Sequence, residues 1–142
     1  MRRSAYITPL ALICVDQVIK WYSQHLLPIQ GVFLIPGLLG LEPFINPGIA
    51  FGIPVPGVLL TVGTTALAIG FGILGVRKAH LGALLVAAGG LSNAIDRIFF
   101  GVTFDYLRVG PWSLVNLADG MIIVGLLLFL LHPTPKPTSS PA

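Results

Sequence analysis

The chain carries five acidic residues in 142 positions: Asp16, Glu42, Asp96, Asp105 and Asp119. Two carboxyls held a few ångströms apart can hydrolyse a peptide bond without a metal. Like charges that close do not both ionise, so one carboxyl keeps its proton. The ionised partner then takes a proton from water, and the protonated one stabilises the carbonyl oxygen. Other hydrolytic chemistries find less support. His25, His80 and His132 are scattered and show no ligand spacing, so no metal is expected. The one cysteine, Cys14, excludes an internal disulfide and a zinc site built on several thiolates. No nucleophile motif pairs a Ser with a His, and no cofactor is expected.

Local spacing sorts the acids into groups. Asp16 and Lys20 stand four apart and share a helix face. The pair either neutralises itself while anchoring a helix end or takes a direct part in catalysis. Asn93, Asp96 and Arg97 fall at i, i+3 and i+4, which reads as a buried polar network locking helices together. Asn116 and Asp119 are three apart, and Ala118 beside them is small enough to admit another backbone. Asp105 and Asp119 cannot meet along one helix, because the helix from 105 to 119 would separate them by about 21 Å. Gly101, Gly110 and Pro111 break that segment. The stretch around Asp105 must therefore fold back over the helix that carries Asp119.

The elements that position these groups are membrane helices. Hydrophobic residues make up 55% of the chain and charged residues 9%, whereas a soluble domain carries about 25% charged residues. Four segments have the roughly 20 mostly apolar residues that a span needs: about 4–22, 57–76, 81–100 and 113–131. Arg2 and Arg3 ahead of an apolar run resemble a signal peptide. The residue before Cys14 is Ile13, however, where a lipoprotein cleavage site needs a small residue, so an uncleaved first helix is expected. Arg2, Arg3, Arg77, Lys78, His80 and Lys136 all fall on one side of a four-span arrangement, which makes both termini cytoplasmic. Residues 24–56 contain no Lys or Arg and fit outside. Asp16, Asp96, Asp105 and Asp119 then lie at similar depth near the outer surface. Carboxylates are costly in a bilayer and face a bundle interior or a wet cavity, so this coincidence marks a site. Segments 31–36 and 39–46 read as short strands. Residues 1–132 form one domain, and the Pro/Ser/Thr-rich 133–142 reads as a disordered cytoplasmic tail. The scattered basic residues make no nucleic-acid footprint.

Five motifs in order resemble the signal peptidase II family. Asp16-Gln17-Val18-Ile19-Lys20 is similar to its D-Q-x-x-K motif, and Asn46-Pro47-Gly48-Ile49-Ala50-Phe51 to its N-x-G-x-A-F segment. The run 89–97, ending in Asn93-Ala94-Ile95-Asp96-Arg97, resembles G-G-x-x-N-x-x-D-R. Gly101-Val102-Thr103-Phe104-Asp105-Tyr106 is similar to G-x-V-x-D-F, and Val115-Asn116-Leu117-Ala118-Asp119 to F-N-x-A-D. The resemblance covers nearly the whole chain. It implies an all-α membrane protein, a four-helix bundle with a small extracytoplasmic β-rich cradle. It also implies an intramembrane aspartic endopeptidase of the bacterial inner membrane, which removes signal peptides from diacylglyceryl-modified prolipoproteins before the lipidated Cys. The catalytic pair it implies is Asp105 and Asp119. The supporting or substrate-binding positions it implies are Asp16, Lys20, Asn46, Gly48, Asn93, Asp96, Arg97, Asn116 and Ala118. Its partners are the lipid-modified substrate and membrane lipid, with a monomer expected and sensitivity to globomycin implied. Ser92 for the family's usual Gly, Val115 for Phe, and Pro47 and Ile49 bear on pocket shape and remove no carboxyl.

Two other classes compete. A proton-coupled transporter would spread ionisable residues through the whole bilayer depth. A structural assembly protein would use its Asp–Lys and Asp–Arg pairs as helix glue, so that losing Asp105 or Asp119 would lower folded yield.

Overall fold

The computed structural model describes residues 4–48 and 56–132. Arg2, Arg3, Lys136, Ile49, Ala50, Phe51 and the tail 133–142 lie outside the described residues. The elements in chain order are α1 (Ser4–His25), β1 (Val32–Ile35), β2 (Leu39–Asn46), α2 (Gly57–Lys78), α3 (Leu81–Phe100), β3 (Thr103–Val109), β4 (Leu114–Val115) and α4 (Leu117–Leu131).

α3 is the central helix and packs against α1, α2 and α4. Its sequence explains why. Gly82, Ala83, Ala88, Gly89, Gly90 and Ala94 keep its surface low, so neighbouring backbones approach closely on more than one side. A methyl group added at Gly82 would lie 2.6 Å from the Gly125 carbonyl oxygen, and one at Gly125 would lie 2.7 Å from that of Gly82. A methyl at Gly89 would collide with the Ala118 carbonyl. Gly89→Ala is therefore expected to push α4 away and destabilise the fold by about 1–3 kcal/mol, the range for overpacking. A lowered thermal unfolding midpoint in detergent would show it, and an unchanged midpoint would contradict it.

α2 and α3 are long and apolar enough to cross a membrane, with mean hydropathies of 2.0 and 1.4 over their best windows. Within α2 only Leu60, Ala68 and Gly75 are buried. Its exposed Val58, Leu59, Val62, Leu67, Ile69 and Ile73 would make a large apolar patch in water, which soluble monomers avoid. Lipid is the solvent that suits them. α4 is a shorter apolar helix of 15 residues. It begins at Leu117, not at residue 113. Leu114 and Val115 pair instead with Arg108 and Leu107 of β3, and Asn116 is extended at φ −128°, ψ 174°.

The strands form one antiparallel sheet in the order β1-β2-β3-β4, covering both short segments read as strands. Asn46 pairs with Thr103 and Phe44 with Asp105. The register slips between Leu41 and Phe44, where Pro43 has no N–H to give a ladder. β3 leaves α3 through Gly101 at φ +75°, a left-handed conformation that glycine adopts without a Cβ clash. This turn folds Asp105 back over the start of α4. Glu42 and Arg108 close the outer side of the sheet through a 2.6 Å ion pair.

At the other end of the bundle His80 caps α3. Its Nδ1 accepts from the Ala83 N–H at 3.4 Å, and its Nε2 donates to the His132 carbonyl at 2.6 Å.

Candidate active site

Burying a Lys among helices is costly unless every ammonium proton finds an acceptor. Lys20 meets that demand. Its Nζ donates to Asp16 Oδ2 at 2.8 Å, Asp96 Oδ2 at 2.7 Å and Asn93 Oδ1 at 2.9 Å. All three donors are used, and the side chain is 2% exposed. The two carboxylates are equally well held. Asp16 accepts from Ser92 Oγ at 2.7 Å, the Tyr106 hydroxyl at 3.0 Å and the Ala118 N–H at 3.3 Å. Asp96 accepts from Gln17 Nε2 at 2.9 Å and the Phe104 N–H at 3.4 Å. This network joins α1, α3, β3 and α4.

One layer outward lie Asp105 and Asp119. Asp105 accepts from Asn46 Nδ2 at 2.9 Å and from Asn116 Nδ2 at 2.7 Å. Asp119 accepts from Asn93 Nδ2 at 2.9 Å and from the Asn116 N–H at 3.2 Å. Asn116 therefore touches both carboxylates, one through its side chain and one through its backbone. Its Oδ1 accepts from the Asp119 N–H at 2.9 Å, which completes a capping box at the start of α4. The three asparagines present N–H groups to carboxylate oxygens and fix their orientation without adding charge.

Asp105 and Asp119 both line a cavity of about 310 Å³. Asn46, Asn93, Arg97 and Thr103 share the lining, and Trp112, Leu114 and Ile123 form its apolar part. Burial pushes the Asp105 carboxyl up to about 6. The bond from Asn46 opposes this, the charge of Asp119 adds to it, and Asn116 and Lys20 oppose it. Such a carboxyl lining a small cavity can accept a proton from water or hand one to a leaving group. Among the described residues no three His, Cys, Asp or Glu side chains gather as a metal-binding group.

The structure thus brings most of the residues singled out from the sequence to one end of the helices, in two layers. Asp105, Asp119, Asn46, Asn93 and Arg97 line the cavity. Asp16, Lys20 and Asp96 sit behind it in the charge network. Gly48 is tied in from the side, its N–H donating to Asn46 Oδ1 at 3.0 Å and its carbonyl accepting from Arg97 Nη2 at 3.3 Å. Ala118 is fully buried between Asp16 and Gly89. Gln17, Tyr106, Thr103 and Trp112 had no role assigned from the sequence. Gln17 was visible as the second residue of the first motif. Tyr106 was visible as the neighbour of Asp105, but its hydrogen-bond partners are distant in sequence.

Comparison with known proteins follows the same outline. The family model described as Signal peptidase (SPase) II matches residues 8–134. The lipoprotein signal peptidase of Halothermothrix orenii is 31% identical over 134 residues, covering 89% of this chain and 92% of its own. That of Syntrophomonas wolfei is 34% identical over 130 residues, covering 86% and 87%. A bacterial membrane enzyme solved by the in meso method at 2.3 Å superposes with a TM-score of 0.80 at 23% identity, covering all of this chain and 96% of that one.

Proposed function

The chain belongs to the signal peptidase II family of aspartic peptidases, and on that premise we propose that Asp105 and Asp119 are its catalytic pair. The observation that carries the reading is that both carboxylates line one cavity while a single residue, Asn116, holds each of them. Between them the pair keeps one proton. The ionised carboxyl draws a proton from a water in the cavity, and the water oxygen attacks the scissile carbonyl. The protonated carboxyl donates to the carbonyl oxygen, and the amine leaves with a proton returned from the pair. Asn46, Asn93 and Asn116 hold the carboxyls for this exchange, and Arg97 and Gly48 offer a donor and an acceptor to the substrate backbone.

The relatives are named for the signal peptides of lipoproteins, and the family resemblance supplies the finer reading of the substrate. It is a prolipoprotein whose Cys already carries a diacylglyceryl group, cut just before that Cys. Four spans cross the inner membrane with both termini cytoplasmic, and a single copy of the chain carries the site near the outer surface. Support comes from the distribution of charge: within α2 and α3 no Asp, Glu, Lys or Arg intervenes between Lys78 and Asp96. A proton-coupled transporter would spread charged residues through that depth.

The test is cleavage of a synthetic prolipoprotein peptide by the purified full chain. Cleavage before a diacylglyceryl-Cys is expected, with globomycin inhibiting it, and the peptide with unmodified Cys should be cut poorly. Equal cutting of both peptides, or of neither, would rule out the proposed substrate.

A further inference from the structure

The first four backbone N–H groups of an α-helix, the N-cap and the three residues after it, have no backbone partner within it. In α4 that of the N-cap Asn116 goes to Asp119 Oδ2. The other three belong to Leu117, Ala118 and Asp119, and each goes to a different acceptor. The Asp119 N–H goes to the Asn116 side chain, and that of Ala118 goes to Asp16 Oδ1. The Leu117 N–H goes to the hydroxyl of Tyr106, at 2.9 Å. The same hydroxyl donates to Asp16 Oδ1 at 3.0 Å. Tyr106 is 5% exposed and follows Asp105 directly on β3. The family pattern has Phe at this position, which would fill the space without either bond.

We propose that the Tyr106 hydroxyl is a positioning group that clamps the start of α4 to β3 and so sets the separation of Asp105 from Asp119. This rests on the assignment of those two residues as the catalytic pair. One end of the clamp is the residue next to Asp105, and the other is two residues before Asp119. Burial, and then the charge of Asp16, pushes the phenol above its ordinary range, so it stays protonated and keeps donating to Asp16. The charged groups facing the pair are Lys20 and Asp16 from α1 and Arg97 from α3, with Asp96 behind them against Arg97 and Lys20. β2 brings only the neutral Asn46, and α2 carries no charge before Arg77.

Two substitutions cut the clamp from opposite ends. Tyr106→Phe removes the hydroxyl. Leu117→Pro removes the N–H at the first helical position, where proline is tolerated. Asn116 before it is already extended, as a residue preceding proline must be. Both variants let the carboxyls drift apart. Close carboxyls hold their shared proton tightly, because removing it creates a second like charge. Separation loosens that hold.

The experiment is steady-state cleavage of the lipidated peptide by the purified full chain across pH, with thermal unfolding in parallel. Each variant should lose about tenfold in kcat with KM changed less than about twofold, as expected for misplaced reacting groups. The basic limb of kcat/KM should move down by about half a pH unit or more. The double variant should be no worse than Tyr106→Phe alone, because Leu117→Pro removes a bond that Tyr106→Phe has already lost. Parental kcat and limbs in Tyr106→Phe would overturn the proposal, as would activity that falls only with the folded fraction while the limbs stay put. Should Tyr106→Phe not fold, Leu117→Pro decides by the same two readouts. Asp105→Asn and Asp119→Asn are assayed alongside. If either cleaves normally, the catalytic pair itself is wrong and the clamp falls with it; if both are inactive and the clamp variants are normal, the clamp alone is wrong.

Discussion

Asp105→Asn and Asp119→Asn are each expected to lower turnover of a lipidated peptide by on the order of 10³-fold or more while leaving a folded protein. An amide keeps the shape of the carboxyl and cannot take a proton from water. At Asp105 the consequence for stability has a definite sign. Burial holds this carboxyl at about 6, above the ordinary value near 4. The folded chain thus binds the proton more tightly than the unfolded chain does. The contribution of this one group to stability is fully present below about pH 4, falls as pH climbs towards about 6, and stays lower at pH 7. Asp105→Asn removes the charge that causes this loss. Its unfolding temperature at pH 7 should equal or exceed that of the parent, and the difference should shrink towards pH 4. One effect opposes this: an amide N–H of the new Asn faces the donor of Asn46 or Asn116 until a side chain turns. Thermal unfolding at the two pH values, paired with peptide cleavage, separates catalysis from helix glue. A variant that unfolds early, or one that still cleaves, would contradict the assignment.

Loss of Lys20 should have the largest effect on folding. Lys20→Ala leaves Asp16 and Asp96 facing each other in the protein interior with no cation between them, and it strips Asn93 Oδ1 of a donor. Breaking a buried ion pair from one side costs about 3–5 kcal/mol. Whole domains are stable by only about 5–15 kcal/mol. The expected result is a collapse in monodisperse yield from detergent extracts and rapid proteolysis. Adding Asp96→Asn to Lys20→Ala should recover part of the yield, because it removes one of the stranded charges. If Lys20→Ala were as heat-stable as the parent, the network would not be what holds α1 to α3.

Spacing along the chain made much of this site legible and blurred the rest. Asp16 and Lys20, four apart, do meet as an ion pair. Asn93, Asp96 and Arg97 were grouped on one face as a buried lock, and only part of that group behaves so. Positions i+3 and i+4 differ by 100° around a helix of 3.6 residues per turn. Asp96 turns towards α1 and the lock, whereas Arg97 turns to the cavity and Gly48. The start of α4 was misplaced for a related reason. Leu114 and Val115 are apolar and extend the hydrophobic run, but pairing with β3 draws them into the sheet, as tertiary context overrides local preference. The bonds of Tyr106 to residues 16 and 117 had no local signature. Neither did the meeting of Asn116 with Asp105, because it depends on how far β3 folds back at Gly101. That Asp105 and Asp119 line one cavity was legible only as a requirement that the break between them had to satisfy.

The contact between α3 and α4 has a consequence for traffic from the bilayer. At Gly82, Gly89 and Gly125 the two helices approach as backbones, with no room for so much as a methyl group. That seam is shut to hydrocarbon. An acyl chain or an extended peptide cannot wedge in through it. The cavity that holds Asp105 and Asp119 is lined instead by Ile123 of α4 and by Trp112, which stands almost wholly exposed. On the proposed assignment, a lipid-anchored substrate would reach the carboxyl pair from that side, and not through the seam between α3 and α4.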